Sequence, residues 1–427
     1  MTERQKALEI LLNIYKNKSY SNLELAEKLK GMERREKALV TNIVYGVLQN
    51  EIHIDFILSH YLKSPLTKTD ITVLAVLRMG VYQIIYTDKI PDYAVVNESI
   101  KLVRKSGKSF ASGMVNAVLR GILRGDKKIK YPEEKSEYLS VYYSVPKWIC
   151  DMWLSEYPGE AEAMIKAGNT KPPLTVRANT LKVSAQELAR LMDGRRTELC
   201  EDGVVLGRAP EIATDELYLK GYYYPQDEAS MLAAAVLAPK KGETVIDMCA
   251  APGGKTTYMA QLMENEGKIT AFDVYEHKLE LIKTTAERLG ISIINPALGD
   301  GCVLNEKYIN TADKILVDAP CSGLGILRRK PEIKYVRTPE DIGELTEIQY
   351  KILCNAAEYL SCGGEMVYST CTVCREENEG MVQKFLETHK NFAPAVSDVI
   401  GDTQKQFFTS ENSYDGFYIA KFRKISD

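Results

Sequence analysis

The sequence predicts a multidomain chain with an all-helical bundle at the N-terminus, a small α+β region in the middle, and an α/β domain built on a parallel sheet at the C-terminus. Three observations predict it. Apolar residues recur at helical spacing from residue 3 to about 125, as in Ala7, Leu11 and Ile14 and again in Ile43, Val44, Val47 and Leu48, with few β-branched alternations. From Thr244 onward, short apolar runs alternate with longer helical ones, the pattern of strands joined by crossover helices. Finally, 427 residues with 45% hydrophobic content exceed what one core usually supports, so two or three domains are expected.

The helical third, residues 1–130, closes at GDKKIKYPEEKSEY, Gly125 to Tyr138. This charged, proline-bearing segment reads as a linker because little in it can be buried. Residues 140–235 are mixed. PLTVRANTLKVS, Pro173 to Ser184, reads as a strand and a turn, and SAQELARLMD, Ser184 to Asp193, opens a helix with an N-cap serine and a glutamate three residues on. In residues 236–427 the apolar runs are ETVIDMC before a helix from Thr256, KITAFDV before one from Glu276, then ISIINPAL, KILVDAP and GEMVYST. GFYIAKF, Gly416 to Phe422, is expected to add an edge strand.

Composition narrows the function. MTERQKALEI is charged and lacks the apolar core of a signal peptide, and no run of about eighteen apolar residues occurs, so no membrane partner and a cytoplasmic location are expected. Nine cysteines scattered through a long chain read as reduced thiols rather than a disulfide framework. The net charge of −3 argues against an indiscriminate nucleic-acid binder, but the charge is uneven. Of the 55 Lys+Arg and 58 Asp+Glu, residues 1–130 hold 22 and 13, a balance of +9, while the remainder holds 33 and 45, a balance of −12. A basic N-terminal third suits a phosphate backbone; a lysine-rich solvated helical surface is the other reading.

VIDMCAAPGGKTT, Val245 to Thr257, runs from an apolar strand into a Pro-Gly-Gly turn and then a helix, which brings backbone N–H groups and a helix N-terminus up to a ligand. GGKT resembles the end of a P-loop, but that motif needs glycine where this chain has Cys249. Asp273, twenty residues after Gly253 in AFDVYEHK, ends the second strand, where a carboxylate can accept hydrogen bonds from ribose hydroxyls, and Asp300 in ALGDG ends the third. A single acid at a strand end is usually a cap or turn residue. Several in order behind a glycine loop suit a nucleoside cofactor, and the loop alone does not separate a dinucleotide from S-adenosyl-L-methionine.

VDAPCSGLG, Val317 to Gly325, and YSTCTVCREENE, Tyr368 to Glu379, each place a cysteine at a strand end. Such a pair suits cytosine chemistry. C5 of cytosine is too weak a nucleophile to take a methyl group unaided, but a thiolate added at C6 makes it enamine-like, and a carboxyl at N3 absorbs the charge. Asp318, Cys321 and Cys371 could supply an acid, a thiolate and a second thiol at one sheet edge, where open α/β sheets bind ligands. The alternatives are structural cysteines, or half a zinc or redox site in Cys371-Thr-Val-Cys374. No second C-x-x-C accompanies it and no metal is expected.

DAPCSG with STC, behind DMCAAPGGKT, resembles the NOP2/Sun family of RNA m5C methyltransferases over roughly Tyr224 to Phe422. The resemblance implies a Rossmann-like class I methyltransferase domain using S-adenosyl-L-methionine. It also implies Cys371 as the nucleophile, Cys321 as the residue that assists product release, and Asp318 near the target base. The implied cofactor contacts are Cys249, Ala250, Ala251, Pro252, Gly253, Gly254, Lys255, Asp273, Asp300 and Asp318. YYYPQDEAS, Tyr222 to Ser230, and RRKPEIKY, Arg328 to Tyr335, are similar to flanking family motifs, the second offering cations for phosphates. IPDYAVVNESIKLVRK and MVNAVLRGILR make the helical third NusB-like, and the region between resembles an RRM-like subdomain, without the aromatic signature for base stacking. This combination is similar to the bacterial RsmB/Sun type, which implies methylation of 16S ribosomal RNA at the cytosine of position 967. The target base is expected to flip into the cleft, and a monomer is the default expectation. The alternatives are the same chemistry on transfer RNA or another ribosomal site, or a noncatalytic RNA-binding assembly factor.

Overall fold

The computed structural model describes residues 1–17, 19–88, 90–409 and 414–426. The chain forms two compact units, Met1–Thr170 with Leu327–Arg337 and Lys171–Ile326 with Thr338–Asp427.

The first unit is helical. Its core helix, Ile71–Tyr86, starts at Asp70, whose carboxylate accepts from the N–H groups of Thr72 and Val73, and every residue from Val73 to Gln83 is buried. A helix apolar on all sides must lie inside its bundle, and here Ala7, Leu11, Ile14, Ile43, Val44, Val47 and Leu48 pack in one core with it. Arg78 in its middle is held by Glu51 at 2.9 Å and Asp55 at 2.6 Å, which satisfies a charge that would otherwise be costly to bury. Helix Ser112–Arg124 ends at Gly125 with φ +59°, a left-handed cap that glycine adopts without strain.

The expected linker is not a free connection. The Tyr131 ring stacks on Phe56 at 5.4 Å and its hydroxyl lies 2.8 Å from His53 Nε2, so an aromatic side chain ties this polar segment to the bundle. Helices Lys135–Tyr143, Lys147–Glu156 and Ala161–Ala167 follow within the same unit.

The second unit holds both sheets. The small one comprises β1 (Leu174–Ala178), β2 (Gly194–Arg196), β3 (Gly203–Leu206) and β4 (Tyr223–Pro225) in the antiparallel order β2-β3-β1-β4. Helix Ala185–Leu191 packs against it, and its N-cap Ser184 accepts from the Glu187 N–H as expected. The large sheet comprises β5 (Thr244–Asp247), β6 (Lys268–Asp273), β7 (Ile294–Leu298), β8 (Ala312–Asp318), β9 (Leu360–Thr370), β10 (Phe392–Pro394), β11 (Gln404–Phe407) and β12 (Phe417–Lys424). Its order is β10-β12-β9-β8-β5-β6-β7, with β11 also paired to β12.

β7, β6, β5, β8 and β9 run parallel, as the alternating pattern requires, and β12 pairs antiparallel to β9. β12 is not the edge. β10 and β11 lie beyond it, β10 too short and β11 too polar to register as apolar runs. Helices Glu228–Leu237 and Gly254–Leu262 cover one face, and Pro339–Tyr359 and Glu379–Thr388 the other. The chain therefore presents a helical bundle, a small antiparallel-sheet subdomain and a Rossmann-like domain with a mixed sheet.

Candidate active site

The strand order reverses beside β5. The chain steps outward from β5 to β6 and β7, then returns on the other side at β8. Ligands of open α/β sheets bind beyond the C-terminal ends of the strands at such a switch point. Those ends lead here into the glycine loop after β5, into DAPCSG after β8 and into STC after β9.

The glycine loop is shaped by its neighbours. Gly253 sits at φ +100°, a conformation costly for a side-chain-bearing residue, and a Cβ on Gly254 would come 2.9 Å from the Tyr224 ring. Arg177 of β1, 1% exposed, donates to the Gly254 carbonyl, to Gln226 and to Thr257 Oγ1, the last at 2.9 Å. Its guanidinium also faces the Tyr224 and Tyr258 rings at 5.4 and 4.8 Å. Burial lowers its pKa to about 10, so it stays cationic while fastening the small subdomain to the start of helix Gly254–Leu262. Under the loop, Asp247 accepts from Thr256 Oγ1 at 2.7 Å, and burial pushes its carboxyl up to about 7.

The other two strand-end acids are engaged locally. Asp273 closes β6, accepts from the Tyr275 N–H at 3.1 Å and lies 3.6 Å from Lys278 Nζ. Asp300 stands two residues beyond β7 in an exposed turn and accepts from the Cys302 N–H at 2.9 Å.

β8 and β9 pair Asp318 with Ser369, so the loops after them start side by side. The Cys321 and Cys371 Sγ atoms consequently lie 3.2 Å apart, as thiols rather than a disulfide. Asp318 accepts from Lys255 Nζ at 2.8 Å and from Ser369 Oγ at 2.9 Å. Burial works against the Lys255 ammonium, but the Asp318 carboxylate, with further contributions from Cys371 and Asp247, outweighs it and raises its pKa. Lys255 thus stabilises negative charge on Cys371. For Cys321 the neighbouring Cys371 sulfur acts first, then burial, and its thiol is pushed well above the ordinary value. Gly325 closes the loop by donating to the Cys371 carbonyl at 3.0 Å, and a Cβ there would lie 2.1 Å from the Gly416 oxygen.

Cys321, Cys371, Asp318 and Lys255 therefore form one cluster, while Asp273 and Asp300 stand apart on the β6 and β7 side. Two of the four cations of RRKPEIKY are withdrawn from solvent. Arg328 and Lys334 are each 1% exposed, and Lys334 donates to the Gln49 carbonyl and to Asn169 Oδ1 inside the helical unit, so neither is presented to a phosphate. Sequence reasoning missed Arg177, Asp247 and Glu377, and missed Lys255 as a partner of the thiols. Asp247 carried a signal, because it ends the β5 strand just as Asp318 ends β8. A buried arginine in an apolar strand and a glutamate in an acidic run carried none.

The domain models agree with this architecture. Residues 1–124 match the NusB family, residues 145–213 a ferredoxin-like domain of RsmF/B-like methyltransferases, and residues 234–423 the 16S rRNA methyltransferase RsmB/F family. The chain is 38% identical to a probable ribosomal RNA small subunit methyltransferase B of Bacillus subtilis, covering 99% of this chain and 98% of that one. A solved structure, that of PH0851, superposes with a TM-score of 0.83 at 26% identity over 98% of this chain and 99% of the other. NSun6 from Pyrococcus horikoshii, solved with SFG, gives 0.59 at 25% identity over 66% of this chain and 99% of its own. With the relatives matched from end to end and all three domains present in order, the chain belongs to the ribosomal RNA small subunit methyltransferase B family.

Proposed function

We propose that this protein methylates C5 of a cytosine in 16S ribosomal RNA with S-adenosyl-L-methionine, through a covalent bond between Cys371 and C6 of the base. The observation that carries the reading is the pair of thiols 3.2 Å apart beside the Lys255–Asp318 ion pair. A structural pair of cysteines has no need of a cation matched to one of the two sulfurs, and a noncatalytic assembly factor has no need of either.

The donor set fits the cofactor. The Cys249 to Lys255 loop offers a glycine-rich turn at the start of a nine-residue helix for the carboxylate end, Asp273 a ribose acceptor, and Asp300 an acceptor for the adenine edge. When bound, S-adenosyl-L-methionine supplies an electrophilic methyl group. Lys255 holds Cys371 as thiolate, the species that adds to C6. Asp318 hydrogen-bonds the pyrimidine edge and stabilises the charge that the addition places on the ring. After C5 loses its proton the Cys371–C6 bond breaks, and Cys321 assists that release. RNA is held through the basic N-terminal third, and a cytoplasmic monomer suits an enzyme of this class.

The test is to incubate Cys371→Ala and Cys321→Ala with S-adenosyl-L-methionine and a 16S RNA fragment, then look for a protein–RNA adduct on a denaturing gel. An adduct with Cys321→Ala alone is expected; one with Cys371→Ala alone reverses the two roles. No adduct with either, on 16S or transfer RNA, overturns the covalent mechanism. Bisulfite sequencing of both RNA classes from a deletion strain tests the substrate, and unchanged 16S RNA overturns it.

A further inference from the structure

Two like thiols 3.2 Å apart have no reason to divide their labour unless their surroundings differ, and this inference rests on the covalent reading above. Lys255 supplies one half of the difference, on the Cys371 side. The other half comes from Glu377, which is wholly buried. Its Oε1 accepts from the Ser322 N–H at 2.8 Å and from Gln349 Nε2 at 3.0 Å, and its Oε2 accepts from Ser322 Oγ. Ser322 directly follows Cys321, and its hydroxyl lies 2.7 Å from that of Thr372, which directly follows Cys371. Gln349 also donates to the Pro320 carbonyl at 3.0 Å, and Tyr368 Oη donates to the Glu377 backbone carbonyl at 2.7 Å. One carboxylate therefore ties together the turns that carry both sulfurs.

We propose that Glu377 is a positioning residue for both cysteines, whose negative charge keeps Cys321 in its thiol form and leaves Cys371 as the thiolate. A like charge beside a thiol disfavours its ionisation, and a cation favours it. The titratable groups that act on Cys321 include Cys371 at the end of β9, Tyr368 within it and Glu377 in the turn that follows. Of these Glu377 is the carboxyl group; burial raises its pKa, while the hydrogen bonds donated to it by Ser322 and Gln349 favour its charged form. The Asp318 carboxylate is instead hydrogen-bonded by Lys255 and Ser369. Division of roles between the two cysteines is then written into opposite charges flanking the pair.

The test measures alkylation of Cys321 against pH in Cys371→Ser, with and without Glu377→Gln, using iodoacetamide and peptide mass spectrometry. Glutamine keeps the size and most of the hydrogen bonds but removes the charge. The midpoint for Cys321 is expected to fall by about one pH unit, an effect that a purely structural role does not produce; an unchanged midpoint in a variant that melts like its parent overturns the proposal. Should Glu377→Gln not fold, the comparison of Cys321→Ser with Cys371→Ser decides. Cys371 must then alkylate at a pH about one unit or more below Cys321, and equal or reversed midpoints overturn it. If the midpoints differ as expected but no RNA adduct forms in the assay above, the covalent reading fails while the charge asymmetry stands.

Discussion

The Lys255 ammonium and the Asp318 carboxylate meet at 2.8 Å, one from the glycine loop after β5 and the other from the end of β8. The pair joins the loop proposed to hold the cofactor to the loop that carries Cys321. Replacing Lys255 by methionine removes the cation from the Cys371 thiolate and leaves Asp318 uncompensated. We expect kcat to fall by about 10²–10³-fold, the usual loss for one preorganised charge in an active site. Its pH profile should move to higher pH, as a thiol without a cation ionises later. Steady-state kinetics from pH 6 to 10 check both, and Lys255→Arg should recover part of the rate.

Arg177 acts on the same loop from the small sheet, through the Gly254 carbonyl and Thr257 Oγ1. Arg177→Ala leaves these acceptors and the Gln226 side-chain Oε1 without their donor in a buried place, so destabilisation of about 3 kcal/mol is expected. Arg177→Met fills the space between the Tyr224 and Tyr258 rings and should retain more stability while loosening the loop. Calorimetry is expected to show weaker S-adenosyl-L-methionine binding for both, with the larger drop in melting temperature for alanine.

Asp247 makes stability depend on pH. Its carboxyl is pushed up to about 7, mainly by burial, with Asp318 adding to the effect and the Thr256 hydrogen bond opposing it. The folded chain therefore binds a proton that the unfolded chain releases near pH 4. This contribution to stability is fully present below about pH 4 and is lost as pH rises through about 7. Asp247→Asn, which keeps a neutral side chain of the same shape, should flatten the fall in melting temperature over that window relative to wild type.

Lys334 gives the opposite slope. Burial lowers its ammonium to about 7, so the folded chain sheds a proton that the unfolded chain keeps to about 10.4. Stability from this group is present above the unfolded value and is lost as pH falls through about 7. Lys334→Met should remove this dependence between pH 7 and 9, which urea unfolding followed by helical circular dichroism would read. The Gln49 carbonyl and Asn169 then lose a donor, so an overall cost of about 1–2 kcal/mol is expected alongside.

What the sequence determined by itself was periodic and local. The spacing of apolar residues set the helical third and the five parallel strands, because burial on one helical stripe or within a covered sheet dictates that pattern. The Ser184 cap and the Pro-Gly-Gly turn were legible because their chemistry lies within a few residues. Cys321, Cys371 and Asp318 were legible as strand-end residues, each beside a recognisable motif. What only the tertiary structure decided was which of them meet, and through what. The strand order places β8 between β5 and β9, which brings the two sulfurs to 3.2 Å across fifty residues of sequence and sets Lys255 against Asp318. Arg177 reads in sequence as a charge within a strand and Glu377 as one acid among several, but folding removes both from water. A buried charge must find partners, and the partners that each finds are the loops on which the chemistry depends.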